Sequence, residues 1–414
     1  MPKLLLAATL LLAAAPATAQ QARYDDVVRN LRNPDPKIRL AAVKLLHESK
    51  YPEAVTPIAA LIADPVDEIQ LEAIAAELSF FLVEDVPSKT RVAFIIEKRS
   101  PGGRAMNAFG LGPLGVWPRP VPPELTKGLL TAVDDENPRV RTEAIYALGT
   151  IARPPVDGET AQGLIKALDH YDPAIRAAAA KVVGRLDVKA AGETLIKAIN
   201  DSQAPVRYAA MRALGAIREA SAVQALTEQL AFYGKGEGAW SALDALAHIA
   251  HPSSLAVFRE RLADKDENMR RAAAEGLARA GDTSQVDALE MAVGNDPSEM
   301  ARAAMTFALQ KFGKNYIPRL VEFLGHDKSA AQVAGYLLEL GPAIAPALTP
   351  HLADQTPGIR AGVAVILGEI GGQAALPALQ PLLTDREKDV AEAATRAIER
   401  IKIKGEARSV KGEG

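Results

Sequence analysis

Apolar positions along this chain recur at three- and four-residue spacing, in blocks separated by short polar turns at nearly constant intervals. The clearest block is Asp134–Ala152, DDENPRVRTEAIYALGTIA. Its opening Asp134-Asp135-Glu136-Asn137 predicts a turn, and Pro138 suits a first helical position, where a missing N–H costs nothing. Val140, Ala144, Ala147, Leu148 and Ile151 then share one side of a helix. Arg141 lies six residues after Asp135. Gly149 lies eight after Arg141, late in the helix, where a small residue admits a close neighbour.

With Arg141 as a register mark, equivalent positions fall at Arg39, Gln70, Arg104, Arg176, Arg207, Ala239, Arg270, Arg302, Val333, Arg360 and Ala391. Successive marks are mostly 31 or 32 residues apart, which makes about twelve repeats of one unit. Asp precedes the mark by six residues at Asp64, Asp135, Asp201, Asp264, Asp296, Asp327, Asp354 and Asp385. Gly follows it by eight at Gly112, Gly149, Gly184, Gly215, Gly341 and Gly368. Each unit predicts two helices, one before the turn, as in Leu195–Ile199, and one after it, as in Val206–Leu214. Neither can bury its apolar stripe alone, so neighbouring pairs must stack. The recurring Asp and Arg are expected to bond the turns, within a unit or between neighbours. The Asp also suits the N-terminus of the second helix.

Three stretches depart from the pattern. Glu97–Pro123 keeps register at Arg104 and Gly112 and is read as a degenerate unit, with Pro113–Pro123 as a Pro-rich connector carrying Trp117. Two readings of Trp117 stand: a residue tucked against the repeats, or one presented on a binding face. Phe232–Trp240, FYGKGEGAW, has neither the Asp nor the Arg. It predicts a widened turn that interrupts the ladder, with Tyr233 and Trp240 as candidate aromatic anchors for a partner. Lys402–Gly414 loses apolar periodicity and is expected to be a disordered tail.

Residues 1–19 carry a different signal. Lys3 precedes the apolar run Leu4–Ala15, which is too short to span a membrane, and Ala17-Thr18-Ala19 fits a cleavage site. The expectation is a signal peptide, export to a periplasm or exterior, and a mature chain from Gln20. The repeats then occupy 20–401, and no later run predicts a transmembrane helix. With no Cys in the chain, an exported fold must hold by packing without disulfides. Aromatics are only 5% of residues while Ala is abundant, which suits close-packed helices. Basic and acidic side chains nearly balance, 48 against 51, which disfavours a nucleic-acid partner.

The chemistry-bearing residues are sparse. Of the six His, His248 and His251 have the spacing of a ligand pair at a helix end, but no HExxH, Cys or carboxylate cluster accompanies them. His170 replaces a register Asp, His326 lies in a turn, and His47 holds a late-helix position where a helix C-terminus favours imidazolium. The run GKGEG lacks the spacing of a phosphate-binding loop. These residues point to no catalytic set, cofactor or metal.

The pattern D-x-x-P-x-V-R…A-x-x-A-L-G in DENPRVRTEAIYALG, with weaker copies in DPAIRAAAAKVVG, APVRYAAMRALG and TPGIRAGVAVILG, resembles the HEAT-repeat superfamily. Within it, the short HEAT-like repeats of the phycobilisome lyase type are the most similar. The resemblance covers roughly residues 25–401. It implies an all-α, right-handed α-solenoid of about twelve helix pairs, with the second helices on the concave side. Taken with the export signal and the lack of a catalytic set, the expectation is an exported, non-enzymatic scaffold that binds a protein or assembles an envelope complex, with Trp117, Tyr233 and Trp240 as candidate partner-binding residues. The alternative is an enzyme or accessory subunit of lyase-like or deoxyhypusine-hydroxylase-like descent. Against the latter, that enzyme's iron site needs several His-Glu pairs, and this chain has only His47-Glu48.

Overall fold

The computed structural model describes residues 24–410, apart from 84–88, 93–95 and 100–102. Residues 1–19, read as a signal peptide, lie outside the described residues. Every register mark falls on a helix. These helices are Pro36–Ser49, Asp67–Phe81, Arg104–Gly110, Pro138–Ile151, Pro173–Arg185, Ala204–Ala216, Gly236–Ile249, Glu267–Ala280, Glu299–Lys311, Ala330–Leu340, Pro357–Ile370 and Lys388–Val410. Twelve mark-bearing helices are therefore present among the described residues, in keeping with the spacing.

The helices begin where local chemistry says they should. The side chains of Asp35, Asn137, Asp172 and Asp266 accept from a backbone N–H two residues on, and Ser298 from one three residues on, satisfying donors a first turn leaves open. These caps stand four residues before the mark. The register Asp, six before it, is therefore not the cap, as the sequence had suggested. The first helices of the repeats are shorter and often tighten into 3-10 geometry. Thr349–Ala353 and Gln380–Thr384 do so where Pro350 and Pro381 lack the N–H of an i→i−4 bond.

The third repeat departs from the all-helical plan. A two-stranded antiparallel hairpin, Lys89–Val92 with Ile96–Arg99, precedes Arg104–Gly110, and Lys89 pairs with Arg99. Helix periodicity could not foresee it, because a hairpin is closed by cross-strand bonds rather than by a stripe.

The chain divides into two compact bodies. One runs through Gly115 and includes Val121–Ala152; the other joins Val116–Pro120 to Arg153 and all that follows. In the N-terminal body Ile58, Ile62, Ile69, Ile74, Leu125 and Leu129 are fully buried. Among them Glu77, 1% exposed, has no hydrogen-bond partner on either carboxyl oxygen, and burial raises its pKa well above the usual carboxylate range.

In the C-terminal body several second helices pack closely on the next through small residues. A Cβ on Gly215 would lie 2.7 Å from the Ala245 Cα, and one on Gly368 2.7 Å from the Ala397 Cα. Glycine at this position permits the close approach that the sequence implied. Gly341 has a different reason: it ends its helix with a φ of 76°.

The segment Val116–Pro120 bridges the first and last elements of the C-terminal body. The Trp117 carbonyl accepts from Arg153 Nη2 at 3.2 Å, and the Val116 carbonyl from Arg400 Nη2 at 2.9 Å. The eight repeats of this body thus curl until their two ends share one strap. Nor does the chain fray at Lys402, where a disordered tail was expected. The last helix continues to Val410, with Lys404 Nζ 2.5 Å from Glu369 Oε1.

Candidate interaction surface

The recurring polar residues build rungs between successive repeats. In four of them the Nε and Nη2 of the mark Arg grip both oxygens of the next register Asp: Arg39 to Asp64, Arg176 to Asp201, Arg270 to Asp296 and Arg360 to Asp385. All eight bonds measure 2.7–3.0 Å. The Nη1 of each Arg donates to carbonyls of its own turn, such as Asn33 and Pro34 for Arg39. The Asp completes the turn by accepting from the N–H two residues on, as Asp201 does from Gln203 at 2.8 Å. Both expected bondings therefore occur, one within the repeat and one across it. The Arg176 hydrogen bond holds the Asp201 carboxyl below its ordinary pKa, and the Arg360 bond does the same for Asp385. At Asp296 burial pushes the other way, but Arg270 and the Ser298 N–H outweigh it.

Tyr233 and Trp240 belong to this ladder. Tyr233 stands at the register position, and its hydroxyl accepts from Arg207 Nε at 2.6 Å, so a phenol replaces the carboxylate. The turn is not widened, as the glycines had suggested. Only Gly234 and Lys235 separate the two helices, with Gly234 at a φ of 67° and Gly236 at 77°. Gly238 leaves room for the Tyr233 ring, which a Cβ there would meet at 2.5 Å. Trp240 is half-buried, and its indole N–H donates to Asp266 at 2.7 Å. Trp117, 8% exposed, is tucked against the repeats, with the guanidinium groups of Arg119 and Arg400 about 6.0 and 5.9 Å from its ring centre. The structure does not bring these three together on an open face. The exposed aromatics nearby are Phe232, at 79%, and Tyr171, at 80%.

A second polar system lies on the second helices and does not repeat. Arg271 bridges Asp244, at 2.6 Å, and Glu275, at 2.7 Å. Arg279 bridges Glu275, at 3.1 Å, and Glu339, at 2.9 Å. The Tyr336 hydroxyl donates to Glu275 at 2.6 Å, and its ring stacks on Phe307 at 4.4 Å. Two of these contacts skip a repeat, joining residues 60 and 61 apart. Side chains can reach past an intervening repeat only where the helices converge, so this face is concave. Burial raises Glu275, but Arg271 and Arg279 overcome it and leave its pKa lowered. Asp244 goes the other way, raised by burial, while burial and Glu275 raise the Tyr336 phenol well above its ordinary value. Toward the start of this face burial and the neighbouring Arg153 bring Arg185 down to about 10. Its rim carries exposed Lys181, Arg212, His248 and Lys311. Sequence reasoning missed this surface, although the i, i+4 run Arg271-Glu275-Arg279 was a signal for it.

The histidines are held locally. His47 Nδ1 is 2.7 Å from Glu72 Oε1, His248 Nδ1 2.9 Å from the Asp244 carbonyl, and His251 Nδ1 2.8 Å from Ser253 Oγ. His170 Nδ1 accepts from the Asp172 N–H at 3.0 Å, so it reproduces the turn bond of the Asp it replaces. Among the described residues no three His, Cys, Asp or Glu side chains gather as a metal site would require.

HEAT repeats are matched over residues 161–231, 236–310 and 314–399, and a single HEAT repeat over 125–153, more than half of the chain. The chain belongs to the HEAT-repeat family. No curated protein matches it. Among solved structures, an engineered protein is similar over 92% of this HEAT-repeat chain and 98% of its own, at 19% identity and a TM-score of 0.41. Kap121p is similar over 93% of this chain and 45% of its own, at 13% identity and 0.39. The complex of CpcE and CpcF of phycocyanin lyase from Nostoc sp. is similar over 76% and 92%, at 20% identity and 0.33. No described helix of the HEAT-repeat chain is long and apolar enough to cross a membrane.

Proposed function

We propose that this chain is an exported, non-enzymatic scaffold, a right-handed HEAT-repeat solenoid that binds a protein partner through the concave face of its C-terminal body. One observation carries the reading. The polar residues that recur are used up between repeats, whereas those that face inward differ from repeat to repeat: Lys181, Arg212, Asp244, Arg271, Lys311. A ladder holds any stack together, but an irregular charged face with buried aromatic support recognises something in particular. Export rests on residues 1–19, and it places the partner in a periplasm or outside the cell.

Affinity capture from the native envelope fraction, with the tagged mature chain as bait, tests the proposal. The expected result is one dominant protein, lost with Lys181→Glu/Lys311→Glu and retained with Tyr171→Ser/Phe232→Ser. Loss with the second pair instead would move the interface to the ladder edge. Absence of any specific protein would overturn the scaffold reading. N-terminal sequencing of the protein from that fraction should start at Gln20.

A further inference from the structure

Among the described residues of the C-terminal body, one rung of the ladder is open. The spacing of marks assigns Asp327 to clamp Arg302, but the turn of the tenth repeat holds one residue more than its neighbours. In the eleventh repeat the residue ending the first helix is Asp354, three before Pro357; in the tenth it is His326, four before Ala330. The backbone confirms the equivalence. His326 N–H donates to the carbonyl three residues back at 3.2 Å, as Asp64 and Asp354 do at 3.2 Å and Asp385 at 3.0 Å. An imidazole thus stands in the slot that a carboxylate fills in four other rungs, while Asp327 is exposed and has no ion pair among the described residues.

The consequence falls on Arg302. Its Nη1 donates to the Asp296 carbonyl at 2.6 Å, as in every rung, but among the described residues nothing accepts from Nε and Nη2. The side chain lines a cavity of about 570 Å³ with His326, Arg319, Phe323, Thr356 and Ile359. The carboxylates at hand are engaged: Glu322 by Arg319 at 2.6 Å, and Glu299 by Ser329 Oγ at 2.5 Å and His326 Nδ1 at 3.2 Å.

We propose that this cavity binds a carboxylate supplied by a partner protein, which takes the place of the missing register Asp and closes the rung on Arg302. The recognition geometry is known from the molecule itself, since the same guanidinium edge grips both oxygens of a carboxylate in four other repeats. Arg319, His326 and the Thr356 side chain edge the slot, and Phe323 and Ile359 form an apolar wall against which a stem of methylenes packs. The assignment of the carboxylate to a protein rests on the scaffold reading; the slot's affinity for carboxylate does not.

The mature full-length chain is titrated by calorimetry with three probes and a control. The probes are an acetylated, amidated tripeptide with one glutamate, an acetylated trialanine with a free terminal carboxylate, and sodium acetate. The control replaces the glutamate by glutamine. Binding by a carboxylate probe but not by the control is expected, and the strongest probe identifies the source as side chain, chain terminus or free acid. The deciding variants are His326→Asp, which fills the slot from within, and His326→Asn, which leaves it open. His326→Asp should melt at a higher temperature than His326→Asn and weaken the best probe at least about tenfold, while His326→Asn still binds. No probe binding, or binding equal in the two variants, would overturn the proposal. Because the probes need no native partner, that failure is separate from an empty affinity capture.

Discussion

Glu77 occupies the place that Leu46, Leu148, Leu214, Leu246, Leu277, Leu309 and Leu367 hold in other repeats, seven residues after the mark. Its carboxyl is buried and unpartnered among the described residues, and burial raises its pKa well above the usual range. The folded chain therefore keeps a proton that the unfolded chain releases. That contribution is fully present below the unfolded carboxylate pKa and is lost as pH rises through the folded one. Glu77→Gln should melt above the parent chain at pH 7.5, and the gap should close by pH 4.5; equal gaps at both would show that the carboxyl is solvated. Tyr233→Phe makes a complementary test. It keeps the ring under Gly238 and removes only the oxygen that Arg207 donates to, so denaturant unfolding should show a loss of about 1 kcal/mol. Tyr233, a candidate partner anchor by its sequence, lies six residues before the mark at Ala239, and the fold shows its phenol accepting from Arg207 as a carboxylate does in other rungs.

At the scale of the element, the stack is held by close helix approach and by rungs. Gly215→Ala places a methyl against the Ala245 backbone, which cannot move aside as a flexible side chain can. The expected cost is about 1–3 kcal/mol, more than alanine's helix propensity returns. Gly335→Ala, exposed in the Ala330–Leu340 helix with nothing within 4 Å, should instead stabilise by about 0.5–1 kcal/mol. Melting temperatures of the two single variants check both signs. The rungs set the acid limit. The pKa values of Asp201, Asp296 and Asp385 are lowered in the fold, so their contribution is present above the unfolded carboxylate pKa and lost as pH falls through the folded one. A chain with all three changed to Asn should lose less stability between pH 5 and pH 3 than the parent. Much of this was legible beforehand. Turn, cap, stripe and late glycine are set within some thirty residues, and twelve copies reinforce the same reading.

For the whole chain, the division into two bodies falls between Ala152 and Arg153, ahead of the fifth repeat's first helix. Within the C-terminal body the strap Val116–Pro120 ties Arg153 to Arg400. Trp117→Ala should raise amide hydrogen exchange in Pro357–Ile370 and Lys388–Val410 while leaving Ala204–Ala216 unchanged. Uniform exchange after the substitution would show that the strap only covers the surface.

The sequence by itself determined the repeat, its length, its twelve marks and the helical character of nearly all of them, because each rests on interactions between residues close along the chain. Tertiary structure decided which partner each polar group would take. Arg400 meets Val116 across 284 residues, and Tyr336 meets Glu275 across 61. Such pairings leave no periodic trace, since they depend on how far small repeat-to-repeat rotations accumulate. The same reason hid the open rung at Arg302. One additional residue in a turn is a small offset in a list of letters, but it replaces a carboxylate by an imidazole in space.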